Sequence, residues 1–103
     1  MFNINGVTWG IKLVSPNHPK LKRHDGTYAL GSCDNSTNLI YISEDAPEEK
    51  LKKILCHEVT HAAMFSYHVE MTLEQEELVA DLIATYGAEI IDVTNKIFSR
   101  IAK

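Results

Sequence analysis

The pentapeptide His57-Glu58-Val59-Thr60-His61 constrains this 103-residue chain more than any other stretch of it. Two imidazoles four residues apart meet only on an α-helix, where they lie one turn apart on one face. The flanking residues agree with that requirement. Leu51, Ile54, Leu55, Ala62 and Phe65 recur at helical spacing and predict a helix reaching about Ser66. At its start Asp45 can cap it, Pro47 suits its first turn, and Glu48 and Glu49 complement the positive end of the helix dipole. Cys56 before the pentapeptide and Ala62, Ala63, Met64 and Phe65 after it are apolar, so two histidines in that setting need partners.

The rest of the chain divides into strands before this helix and a second helix after it. Residues 2–4 and 7–14 flank Asn5-Gly6, a dipeptide that favours a tight hairpin turn. Val7, Trp9, Ile11 and Leu13 alternate as a half-buried strand requires. Residues 16–20, with two prolines and an asparagine, break the pattern as a loop. Strands are expected at 27–33 and 39–42, separated by the polar turn 34–38. After a link at 67–71, Thr72 with Gln75 three residues on opens a second long helix as a capping box. Leu73, Val79, Ile83, Tyr86, Ile90 and Ile97 carry it towards Ser99, although Gly87 costs about 1 kcal/mol against alanine there. The expected fold is one α+β domain over residues 1–103. It has three or four mostly antiparallel strands followed by two long helices.

Composition narrows the function. A net charge of −4 argues against general nucleic-acid binding, which is driven by clustered lysine and arginine. The basic stretch from Lys20 to His24, with Lys22 and Arg23, reads as a solvated loop. No apolar run reaches the roughly 18 residues of a membrane span, and the first ten residues lack a basic leader. Cys33 and Cys56 lack metal-binding or redox spacing, which suits a reducing cytoplasm.

H-E-x-x-H on a helix is a zinc site, because zinc takes neutral imidazole nitrogens in tetrahedral geometry. Glu58, rotated about 100° from His57, falls beside the ion and can act as general base towards a water there. A third ligand must come from downstream, and the candidates are His68, Glu70, Glu74, Glu76, Glu77 and Asp81. Glu77 ranks first, because Asp81 lies one turn on and can accept the free N–H of a ligating histidine. Glu76, nearer the apolar stripe by helical angle, is the alternative. Ala80, Ala84 and Ala88 beside them allow the two helices to approach closely. Tyr67 and His68, just past the first helix, are the nearest candidates to stabilise a developing oxyanion. Either strand 27–33 or strand 39–42 offers an edge on which an extended peptide can add.

H-E-x-x-H followed by E-x-x-x-D resembles the gluzincin metallopeptidases. The compact layout of residues 26–92 is also similar to the small ImmA/IrrE-type and SprT-like metallopeptidases of bacteria, phages and mobile elements. The resemblance implies a minimal zincin-like domain whose substrate-side edge is residues 31–42. It further implies peptide-bond hydrolysis with Zn2+, and a peptide or protein substrate that includes regulatory proteins. A chain this short leaves little room for a deep cleft, so a homo-oligomer or a protein partner is a further expectation. The competing expectation is a non-catalytic, zinc-stabilised protein-binding module, with His68 closing the site as a fourth ligand.

Overall fold

The structure, a computed structural model, describes residues 1–102. It begins with a hairpin of β1 (Phe2–Ile4) and β2 (Val7–Val14), antiparallel with Phe2 opposite Trp9 and Ile4 opposite Val7. Asn5 and Gly6 turn it with φ of 49° and 79°, the pair of positive values that a two-residue turn matching strand twist demands. After a 3-10 turn at Pro19–Leu21 come β3 (Gly31–Asp34) and β4 (Leu39–Ser43). The link between them is held by Asp34, whose Oδ1 accepts from the Ser36 N–H at 2.9 Å and the Ser36 hydroxyl at 2.7 Å.

The sheet order is β1-β2-β4-β3. Two of its three pairings are antiparallel, as expected, but the longest is parallel: β2 from Gly10 to Val14 lies along β4 from Leu39 to Ser43. The sheet is therefore mixed. Its topology also decides which strand has an open edge. β4, one of the two expected edges, is interior, between β2 and β3; the edge strands are β3 and, on the other side, β1.

β3 is shorter than residues 27–33. Asp25 and Gly26 make a turn of their own, with the Arg23 N–H donating to the Thr27 carbonyl at 2.7 Å and the Ala29 N–H to the Leu21 carbonyl at 2.8 Å. Residues 27–29 are thus folded back on residues 21–23, and the chain joins β4 only from Leu30, whose carbonyl accepts from the Ser43 N–H at 2.9 Å.

Helix α1 (Glu48–Ser66) starts after Pro47, which occupies the cap position without a side-chain hydrogen bond. The expected cap at Asp45 is not made. Proline disfavours helical backbone in the residue before it, so Ala46 stays out of the helix and Asp45 is left beyond reach. Its backbone N–H donates instead to the Ser43 hydroxyl at 3.1 Å. Helix α2 (Leu73–Ile101) opens with the full capping box, Thr72 Oγ1 accepting from the Gln75 N–H at 3.1 Å and Gln75 Oε1 from the Thr72 N–H at 3.0 Å.

Trp9, Ile40, Ile42 and Ala62 form the buried core, with Ile54, Leu55 and Val59 of α1 packed on the sheet. Trp9 Nε1 donates to Ser66 Oγ at 2.9 Å and Asn5 Nδ2 to the Ser66 carbonyl at 3.0 Å, which fixes the end of α1 over the hairpin. The alternation along β2 buries only its first part. Ile11 and Leu13 are 46% and 67% exposed, although Ile40 and Ile42 beside them on β4 are buried. α2 packs on α1 through Glu76, Val79, Ala80, Ala84 and Gly87, and residues 88–101 are exposed on all sides. Among the described residues no helix is long and apolar enough to cross a membrane.

Candidate metal centre

α1 delivers two imidazoles and α2 delivers carboxylates to one point. His57 and His61 lie one turn apart on α1, with ring centres 4.8 Å from one another and their Nε2 atoms at 3.1 Å. Glu77 caps the pair, placing Oε2 at 3.2 Å from His57 Nε2 and Oε1 at 2.8 Å from His61 Nε2. Two ligands of a tetrahedral zinc at 2.0–2.1 Å are separated by about 3.3 Å, close to the 3.1 Å between the two Nε2 atoms.

The far side of each ring is also occupied. His57 Nδ1 lies 3.0 Å from Asp81 Oδ1, and His61 Nδ1 lies 2.6 Å from Glu76 Oε1. With the proton of each ring on Nδ1 and donated to these carboxylates, each Nε2 would present a lone pair towards Glu77. Two lone pairs and a carboxylate then converge on one another. Such a set of acceptors is repulsive until a cation sits among them, and its chemistry, two imidazoles and one carboxylate, suits zinc. His57, His61 and Glu77 are accordingly the group that could hold a metal ion among the described residues.

Glu58 is 8% exposed, between α1 and the sheet edge. Burial pushes its carboxyl above the ordinary carboxylate range; the neighbouring His57 and His61 pull it back, and the Glu77 charge raises it further. Gly31 of β3 makes the room. A Cβ there would stand 2.9 Å from Ile54 Cγ2 and 3.1 Å from both Cγ and Oε2 of Glu58. The constraint is space, since the edge strand passes directly over the carboxylate.

A cleft of about 410 Å³ opens beside the histidines and Glu58. β3 contributes Gly31, Ser32 and Cys33 to it, α2 contributes Glu76 and Glu77, and Lys20, Lys22 and Arg23 form its outer wall. The basic run read as a solvated loop therefore borders the site, with Lys20 Nζ 2.8 Å from Asp34 Oδ2. Cys33 in that cleft is pushed up to about 12 by burial first, then by the charges of Glu58, Glu76 and Asp34.

The structure brings together His57, Glu58, His61, Glu77 and Asp81. Glu76, the alternative third ligand, points to the Nδ1 side of His61 while Glu77 takes the Nε2 side. That role of Glu76 was not foreseen, although two adjacent carboxylates about 100° apart can straddle one imidazole and so offered the signal. Tyr67 ends α1 and is 60% exposed. His68, at φ 55°, borders a separate pocket with Asn35, Phe65 and Glu76. Neither lines the cleft beside Glu58.

Comparisons of the chain with models of protein families, with curated proteins and with solved structures find no match.

Proposed function

We propose that this chain is a zinc-dependent metallopeptidase with Glu58 as its general base. The observation that carries the proposal is the convergence of His57 Nε2, His61 Nε2 and Glu77, each histidine being backed by a carboxylate at Nδ1. Zinc held there would supply Lewis-acid polarisation of a carbonyl oxygen and bring a water's pKa towards about 7.

The chain's own groups supply the rest. Asp81 and Glu76 hold the imidazoles in the tautomer that ligates, and fix their rings. Glu58, buried beside the histidines, accepts the proton of the attacking water and returns it to the departing amine. Its raised affinity for a proton suits it to carry one between the two steps. β3, as the edge strand along the cleft, offers an extended peptide main-chain hydrogen bonds by strand addition. Three donors rather than four favour a catalytic site over the closed site of a zinc-stabilised binding module. Two free thiols, Cys33 and Cys56, fit a cytoplasmic setting, and the substrate is a peptide or protein.

The test is hydrolysis of a mixed peptide library by zinc-loaded protein, read by mass spectrometry, alongside Glu58→Gln. Cleavage by the wild type, abolished by chelator and by Glu58→Gln, is expected. Equal cleavage by Glu58→Gln would remove Glu58 from the mechanism. A zinc-loaded wild type that cleaves nothing in the library would favour the binding module.

A further inference from the structure

We infer that the free half of α2 is the dimerisation element of this protein, pairing antiparallel with the same helix of a second copy. From residue 88 to residue 101 the helix runs about 20 Å and is exposed along its length, with no other element of the described residues against it. That stretch is not polar. Tyr86, Ile90, Val93 and Ile97 are 47–53% exposed, and Ile91, Phe98 and Ile101 are 60–72% exposed.

The apolar residues are ordered. Ile83, Ile90 and Ile97 recur every seven residues, with Tyr86 and Val93 three residues after the first two, which is the a and d pattern of a two-helix seam. A helix that met only water would carry polar residues at these positions. The exposed halves of Tyr86, Ile90, Val93 and Ile97 lie along this one stripe, whereas Ile91 and Phe98 lie about 100° round the helix from it.

Charge selects the orientation. In the antiparallel register Ile90 packs on the partner's Val93, Tyr86 on the partner's Ile97, and Ile83 on the aliphatic stem of the partner's Arg100. The flanking positions then bring Glu89 opposite the partner's Lys96 twice, once on each side of the two-fold axis. Lys96, which pairs with Asp92 on its own helix at 2.9 Å, comes to lie between two carboxylates. The parallel register instead stacks Arg100 on the partner's Arg100 and leaves Glu89 facing a threonine. It has no complementary pair.

Sedimentation equilibrium of the whole chain tests the inference. The wild type is expected to be a dimer at micromolar concentration. Ile90→Asp should weaken it by at least about tenfold while far-UV circular dichroism keeps the domain's helix content. Glu89→Lys and Lys96→Glu should each weaken association, and the double variant should restore it. A wild type monomeric at high micromolar concentration overturns the proposal, as does a double variant no better than the single ones. Flotation of monomeric wild type with phosphatidylglycerol vesicles would assign the helix to a lipid surface and overturn it as well.

Discussion

The Nε2 atoms of His57 and His61 face one another at 3.1 Å, with the Glu77 carboxylate across both. Asp81 and Glu76 stand on the other side of the rings, at 3.0 Å from His57 Nδ1 and 2.6 Å from His61 Nδ1. If that arrangement serves a metal, the two outer carboxylates set its affinity. Asp81→Asn and Glu76→Gln are each expected to weaken zinc binding by about tenfold or more, without abolishing it. Competition against a fluorescent zinc chelator measures this. Unchanged affinity in both variants would make these contacts surface ion pairs and nothing more.

Glu58 has a different duty and predicts a different phenotype. Glu58→Gln should hold zinc as the wild type does, while peptide turnover falls by roughly 100-fold or more. Metal content and initial rates on the same preparation separate the two effects. A variant that loses the metal together with activity would make Glu58 a ligand.

The missing side chain of Gly31 protects that carboxylate. Gly31→Ala forces a methyl group to within 2.9 Å of Ile54 Cγ2 and 3.1 Å of Glu58 Oε2. Since Ile54 is β-branched and packed, Glu58 or the edge strand must move, at a cost of about 1–3 kcal/mol. Turnover is expected to fall at least about tenfold with zinc affinity retained. Denaturant unfolding with the rate assay checks both, and wild-type turnover in Gly31→Ala would contradict the packing described.

Cys33 gives a pH prediction. Its thiol is pushed up to about 12, by burial ahead of the neighbouring carboxylates. A raised thiol favours the neutral form in the folded state. Its contribution to stability is thus complete below the ordinary thiol range and is lost as pH rises from there towards 12. At pH 8 in the metal-free protein, iodoacetamide should label Cys33 far more slowly than it labels free cysteine, because the thiolate is the nucleophile. Labelling at the free-cysteine rate would show the site to be open and wet.

Much of this was legible in the sequence because it is local. Asn5-Gly6, the Thr72 and Gln75 box, and the spacing from Leu51 to Phe65 each specify geometry within a few residues. Glu77 with Asp81 was legible for the same reason, one helical turn linking the two. What escaped depends on contacts far apart in the chain. The parallel pairing of β2 with β4 is set by how residues 15–38 return across the sheet, and no periodicity within β2 reports it. Residues 27–29 have strand composition, but Asp25-Gly26 folds them back on residues 21–23. Ile11 and Leu13 alternate like buried residues, yet they are exposed, because alternation does not report what packs on a strand. Glu76 could be ranked only by helical angle, which does not say which ring nitrogen a carboxylate will meet.

Zinc titration of metal-free protein by isothermal calorimetry, with Glu77→Ala beside the wild type, tests the central claim most directly. The account predicts one zinc per chain, bound tightly at neutral pH and lost in Glu77→Ala while the fold remains. A wild type that binds no zinc, or one that binds it equally well without Glu77, would contradict the metal centre.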